Sequence, residues 1–271
     1  MKATIVNGQE IANNLIKKIH SLAQNMPSKK VCFVSFGGNL ASRSFVEKKM
    51  RFAKELGIEA KSIEGAASNT EEAVDFLKKL SSNGYDGIVV QLPVNKSFVT
   101  ETLLDAVQSV QDVDMLGMQA KESYKLGMTE RMPPVARAIK EIFKKHEIDP
   151  KNKKIAILGF GRLVGKPVSM YLSRNGIEHE VLDKNSIQEH KLSSILEADI
   201  VISGIGVSHY IKQDMIKDGA ILIDAGTSGE EGKLAGDIDP ACATKASLLT
   251  PVPGGVGPIT VASLFYNLYL K

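Results

Sequence analysis

Lys49, Gln91 and Asp114 are the residues whose types and settings best suit acid/base chemistry in a cleft. Lys49 lies in the run Ser42-Arg-Ser-Phe-Val-Glu-Lys-Lys-Met-Arg-Phe-Ala-Lys-Glu-Leu56. There Val46, Met50 and Ala53 form an apolar stripe, while Lys48, Arg51 and Lys54 recur on the other side. Lys49 stands four residues after Phe45 and three before Phe52, a spacing that predicts a lysine projecting between two aromatic rings at the edge of the buried face. Such a lysine either snorkels over the core or is delivered into a cleft, where desolvation lowers its pKa toward a useful acid/base range. Gln91 ends Val-Val-Gln-Leu-Pro, a polar group at the carboxyl edge of an open sheet, where ligands of α/β proteins bind. Asp114 sits in Gln-Asp-Val-Asp-Met, a polar turn. Taken singly, Lys49 reads first as a snorkelling lysine, and the other two read also as a strand-end amide bonded to a loop and a solvated turn carboxylate.

Two backbone motifs accompany them. Gly159-Phe-Gly-Arg-Leu-Val-Gly165 follows a strand-like run and opens a helix. In that context glycines permit a tight turn and seat a pyrophosphate on the positive helix end. Three residues separate its second and third glycines where the common dinucleotide fingerprint has two, so a turn without a ligand remains open. Thr250-Pro-Val-Pro-Gly-Gly-Val-Gly-Pro-Ile-Thr260 holds three prolines and three glycines without a charge. It reads as neither helix nor central strand: an apolar, rigid lining where main chain meets a flat ligand, or a buried turn feeding a last helix over Val261–Leu270.

The elements that must position these residues alternate between short β-branched runs and helix-period runs, the pattern of an α/β fold with mainly parallel strands. Helices are predicted near 8–24, 42–56, 70–80, 135–146 and 166–174, and strands at 31–36, 87–91, 154–158, 180–182, 199–203 and 220–224. The later strands follow one another in Rossmann-like order. Pro133 and Pro134 introduce a helix, and a domain junction is expected near them. The domains are drawn as 1–120, joined by a C-terminal helix at 259–271, and 121–258.

Composition excludes other classes. The 271 residues are 43% hydrophobic and 24% charged with a net charge of +3, too mild and too interspersed for a nucleic-acid footprint. No apolar segment approaches the length that spans a bilayer, and the N-terminus has too short an apolar stretch for a signal peptide. Cys32 and Cys242 give neither a disulfide framework nor a zinc spacing, and the five histidines lack ligand spacing. No nucleic acid, membrane or metal is expected, and a cytoplasmic location fits best.

Asn39-x-Ala-Ser followed by Phe-Val-x-x-Lys49, Val90-Gln-Leu-Pro93, Asp112-Val-Asp114, the segment from Gly159 to Pro167 and above all Pro251-Val-Pro-Gly-Gly-Val-Gly-Pro-Ile-Thr260 together resemble the methylenetetrahydrofolate dehydrogenase/cyclohydrolase family, the FolD proteins. The resemblance spans nearly the whole chain in order. It implies an N-terminal α/β domain and a Rossmann domain with a folate cleft between them, in a homodimer. It implies NAD(P)-linked oxidation of 5,10-methylenetetrahydrofolate to the methenyl cation, then hydrolysis to 10-formyltetrahydrofolate. Lys49 would move protons with Gln91 orienting it, and Asp114 would fix the pterin. Phe45 would stack on the folate, and Pro253, Gly254 and Gly255 would lie against it. Gly159, Gly161, Arg162, Val164, Gly165, Lys184, Asn185 and Ser186 would bind the dinucleotide.

Departures from the family pattern bear on this. Phe45 replaces the usual tyrosine, which removes a hydroxyl near Lys49, and Met115 replaces a glycine. Pro133-Pro-Val-Ala136 stands for Pro-Cys-Thr-Pro, and Gly159-Phe-Gly161 for Gly-Arg-Ser. Asp183 favours NAD, whereas Lys184 and Ser186, placed where the family has arginine and threonine, favour NADP together with Arg162; NADP is expected, with NAD possible. The other readings are a dehydrogenase with weak or absent cyclohydrolase activity and a non-catalytic nucleotide-binding module.

Overall fold

The structure, a computed structural model, describes residues 3–37, 40–230 and 233–271. In chain order the elements begin β1 (Thr4–Ile5), α1 (Gly8–Ala23), β2 (Lys30–Ser35), α2 (Leu40–Glu55), β3 (Glu59–Glu64), α3 (Thr70–Ser81) and β4 (Gly87–Gln91). Then come α4 (Thr100–Asp105), α5 (Met118–Lys125), α6 (Pro134–Lys145), β5 (Ile155–Leu158), α7 (Gly165–Arg174), β6 (Glu180–Leu182) and α8 (Gln188–Glu197). The chain closes with β7 (Ile200–Ser203), β8 (Ile221–Asp224), β9 (Ser228–Glu230), β10 (Lys233–Ala235), β11 (Leu248–Leu249) and α9 (Val256–Asn267).

The chain divides into two compact units, one of residues 15–133 with 261–271 and one of 1–14 with 134–260. This partition differs from the expected domains at residues 1–14 and 121–133. The first residues join the Rossmann-like unit because β1 pairs in parallel with β11. Residues 121–133 stay with the smaller sheet because the C-terminus ties them down. Asn267 donates to Val113 O (2.9 Å) and Met132 O (2.8 Å), and Arg131 Nε donates to Leu270 O at 3.0 Å.

In the unit of 15–133 and 261–271, a parallel sheet runs β3-β2-β4. Strand β4 and the middle of β2, Val31 to Val34, are buried, as strands covered on both faces must be, which explains their apolar runs. Phe33 packs edge-on against Phe265 of α9, ring centroids 6.3 Å apart. Asn69 caps α3 by accepting from Glu72 N at 2.9 Å, while the Glu72 carboxylate accepts from Ser68 N, a reciprocal cap of about 1 kcal/mol.

The other unit carries the six-stranded parallel sheet β1-β11-β8-β7-β5-β6. β5 and β7 are wholly buried, and Ala156, Leu158, Val201 and Leu222 share its core with Ile195, Ile211 and Cys242. β6 lies on one side of β5 and β7 on the other. The crossovers therefore leave β5 in opposite directions, which opens a crevice at the strand ends. No helix among the described residues is long and apolar enough to cross a membrane.

Candidate functional site

In the unit of the smaller sheet, α2 and β4 bring two of the expected polar residues together. Lys49 Nζ donates to Gln91 Oε1 at 3.0 Å, and Gln91, 7% exposed at the end of β4, turns its amide nitrogen to Leu92 O at 2.6 Å. That second bond fixes which end of the amide faces the lysine. Lys49 is half-buried, and burial holds its ammonium below the usual lysine range, opposed by the Asp114 charge. Burial likewise pushes the Asp114 carboxyl up, opposed by Lys49. Asp114 is half-buried, and its charge and that of Lys49 act on one another.

The aromatic environment of Lys49 differs from the expected one. Its Nζ stands 5.7 Å from the centroid of Phe33, whereas Phe45 lies under Lys48 at 5.7 Å and Phe52 packs on Phe265 at 5.4 Å. The ring that Lys49 meets therefore belongs to β2 and is remote in sequence. Phe33 leaves no helical-spacing signal and was missed for that reason.

The turn that carries Asp114 is built by Asp112, also missed. Its buried carboxylate accepts from Gly117 N at 2.7 Å, and the amides of Met115 and Leu116 also act on it. Met115 adopts φ +57°, so the backbone keeps the left-handed turn a glycine would favour, at a cost of about 1 kcal/mol. Its side chain is 1% exposed, and that burial offsets the strain.

Burial pushes the Asp112 carboxyl up to about 6 from 3.8. The folded chain therefore binds more protons than the unfolded one between these values, and stability falls as pH rises through about 4 to 6. Asp112→Asn keeps an acceptor for Gly117 N and removes the ionisation. The stability difference between pH 4 and pH 7, measured by urea unfolding, should shrink by about 2 kcal/mol; an unchanged difference shows that Asp112 does not contribute to it.

In the unit of the larger sheet, the loop after β5 has the form a dinucleotide requires. Gly159 adopts φ +89°, and a Cβ on Gly165 would stand 1.9 Å from Gly159 O, so α7 can pack on the strand only through glycine. A Cβ on Gly161 would meet nothing within 4 Å, which leaves open space over the middle of the loop. Val164 caps α7 without a side-chain bond, and Arg162 is half-buried beside it.

After β6, the Asp183 carboxylate turns onto its own loop, accepting from Asn185 N at 2.8 Å. The Ser186 hydroxyl accepts from Asp183 N at 3.0 Å. Ser186 thus has one lone pair engaged inside the turn, and its hydroxyl keeps further hydrogen-bonding capacity, while Lys184 is exposed.

The proline-glycine segment is corrected in two respects. Helix α9 begins at Val256, five residues earlier than expected; Pro258 is tolerated because amides of the first turn have no helical partner. Gly255 serves the fold: a Cβ there would stand 2.6 Å from Pro251 O. The Gly254 carbonyl accepts from Gly8 N at 2.9 Å, and a Cβ on Gly8 would stand 1.8 Å from Gly255 O, so the close approach is made by the chain's own α1. Around Gly254, at φ +105°, a Cβ would meet nothing within 4 Å, and Pro253 is exposed beside it. Asn39 lies outside the described residues. Among the described residues no group of three or more His, Cys, Asp or Glu side chains could hold a metal ion.

Comparison with known proteins places this geometry. Residues 6–114 match the family model described as "Tetrahydrofolate dehydrogenase/cyclohydrolase, catalytic domain", and residues 133–271 match its "NAD(P)-binding domain". The chain is 38% identical to the "Bifunctional protein FolD" of Mycoplasmopsis synoviae, over 97% of this chain and 98% of the relative. It is 33% identical to that of Bacillus licheniformis, over 98% and 96%. Among solved structures, the bifunctional FolD enzyme of Campylobacter jejuni is similar with a TM-score of 0.90 at 26% identity, covering 98% of this chain and 97% of that one. With both domain models matched in order and relatives aligned end to end, the chain belongs to the tetrahydrofolate dehydrogenase/cyclohydrolase family, as a bifunctional enzyme with a catalytic and an NAD(P)-binding domain.

Proposed function

We propose that Lys49 is the proton-transfer group of the cyclohydrolase reaction, that Gln91 orients it and that Asp114 binds the pterin of the folate. The observation that carries this reading is the 3.0 Å bond from Lys49 to an amide whose other end is fixed, on a lysine whose ammonium burial disfavours. Hydrolysis of 5,10-methenyltetrahydrofolate adds water to the methenyl carbon and then releases a ring nitrogen, so a proton must leave the water and another must reach nitrogen. A lysine with a lowered pKa is neutral often enough to take the first and, once charged, can return one. A carboxylate at 114 can accept two N–H bonds from an amino-pyrimidine edge.

Oxidation of the methylene bridge requires a dinucleotide, which supplies the hydride acceptor when bound. The open space over Gly161 and the strand-to-helix packing at Gly165 fit one. Gly159, Gly161, Arg162, Val164 and Gly165 would hold its diphosphate, and Lys184 and Asn185 its adenosine ribose. Pro253 and Gly254 would lie against the folate. A homodimer in the cytoplasm completes the reading; two unpaired buried thiols, Cys32 and Cys242, suit a reducing compartment.

Phe45 tests how far the second activity is retained. Phe45→Tyr restores a hydroxyl one helical turn before Lys49, and hydrolysis should rise severalfold with dehydrogenation within about twofold. Formation and decay of the methenyl absorbance report the two rates; equal changes, or none, remove the missing hydroxyl as the limit.

A further inference from the structure

Asp237 is the most completely engaged buried carboxylate outside the constellation around Lys49. It has no exposure and accepts three bonds, from Ser203 Oγ at 2.7 Å, Ile205 N at 2.8 Å and Val207 N at 2.9 Å. All three donors belong to the segment 203–207, which leaves the end of β7. Ser203 pairs in register with Leu158, the last residue of β5, so this loop stands beside the glycine loop.

The two loops interlock. A Cβ on Gly159 would stand 3.0 Å from Gly204 O, and one on Gly204 would stand 2.4 Å from Val164. The chain after β8 makes room for the carboxylate in turn, since a Cβ on Gly226 would fall 2.1 Å from Asp237. Asp224 braces the segment that carries Asp237 by accepting from Ile238 N at 2.8 Å, and it also accepts from Gly226 N at 3.0 Å. In a sheet of this topology a dinucleotide lies across the strand ends at the reversal between β5 and β7, one mononucleotide on each half. The adenosine half would then fall on β5 and β6, and the other half would meet the loop after β7. There the amides of Ile205 and Val207 turn inward to Asp237, while the Val207 side chain stays 51% exposed.

We propose that Asp237, through Ser203 and these two amides, is a positioning residue for hydride transfer, holding segment 203–207 as the wall against which the nicotinamide half of the dinucleotide is aligned. The inference rests on the dehydrogenase reading above. Without the carboxylate, two amides and a hydroxyl lose their buried partner and the segment must re-form to satisfy them.

The test uses full-length Asp237→Asn and Ser203→Ala. The amide keeps one acceptor and presents an N–H₂ group to the remaining donors, while Ser203→Ala removes one donor of three. Asp237→Asn should raise the KM for NADP by about tenfold or more and abolish the cofactor-induced rise in Tm, with hydrolysis of methenyltetrahydrofolate within about twofold of the parent. Ser203→Ala should raise the KM by about threefold, and it carries the test alone if Asp237→Asn does not fold. Unchanged KM for NADP in Ser203→Ala, or a parallel fall of dehydrogenation and hydrolysis in Asp237→Asn, overturns the proposal. A parent protein that hydrolyses the methenyl cation but oxidises nothing with either dinucleotide overturns the dehydrogenase reading instead; the thermal shift on adding NADP still reports on Asp237.

Discussion

Lys49→Ala is expected to lower hydrolysis of 5,10-methenyltetrahydrofolate by about 10²- to 10⁴-fold, the range of a positioned general acid or base, while leaving a folded protein that binds dinucleotide. The side chain reaches Gln91 from α2, and its loss leaves the amide oxygen, with Asp114, without the cation that faces them. Removing a half-buried cation beside a carboxylate raises Asp114 further, because the attraction of Lys49 that opposes its burial disappears. Folate affinity should therefore fall as well as turnover. The pH profile distinguishes a proton-transfer role from mere charge. Burial lowers the Lys49 pKa, so the neutral amine becomes available below the pH at which an exposed lysine loses its proton. Parent hydrolysis should climb with pH through that lowered value. Lys49→Arg keeps the charge but cannot release it, so the climb should vanish there as it does in Lys49→Ala. Hydrolysis at the parent rate in Lys49→Ala, or a retained climb in Lys49→Arg, sinks the assignment.

What the sequence made legible follows from which signals are local. Strand β4 and strand β6 stand where β-branched runs placed them, and α1, α3 and α7 match their periodicity within a residue or two. The contact of Lys49 with Gln91 spans 42 positions, and only the motif resemblance joined the two in advance. Phe33 and Asp112 were missed because nothing near them in sequence marks their work. One is an ordinary core aromatic of β2; the other is a turn carboxylate whose bonds to Gly117 and Met115 appear only when the turn closes. The short elements were missed for a related reason. β1 and β11 have two residues each and exist by pairing with one another and with β8, so tertiary context supplies what propensity cannot. β3, with the mixed sequence Glu-Ala-Lys-Ser-Ile-Glu, is an edge strand whose exposed face reads as polar loop. The glycines of 254–255 were visible as a demand for close approach, but composition alone did not reveal that Gly8 is what approaches.

Charge reversal at Lys184 should change the choice of dinucleotide. The residues after the second Rossmann strand meet the adenosine ribose, and Asp183 at that place argues for NAD, since a carboxylate bonds a free 2′-hydroxyl and repels a 2′-phosphate. Its carboxylate is drawn onto its own turn, accepting from Asn185 N at 2.8 Å and from Asn185 Nδ2 at 3.3 Å. Those bonds spread its charge and draw the carboxylate toward its own turn. Ser186 is likewise engaged with Asp183 N, so discrimination falls to cations: exposed Lys184 and, from the glycine loop, Arg162. A lysine facing a phosphate acts as a point charge through a charge-assisted bond worth about 1.5–3 kcal/mol, or about 10- to 100-fold. Lys184→Glu loses that attraction and adds repulsion, so kcat/KM for NADP should fall by at least about tenfold while NAD, which lacks the 2′-phosphate, changes little. The NADP term should also weaken with added salt in the parent, because Lys184 is open to solvent. Initial rates with both dinucleotides in parent and variant decide the matter. A parent that clearly favours NAD, or undiminished use of NADP by Lys184→Glu, returns the ribose to Asp183 and removes Lys184 from the site.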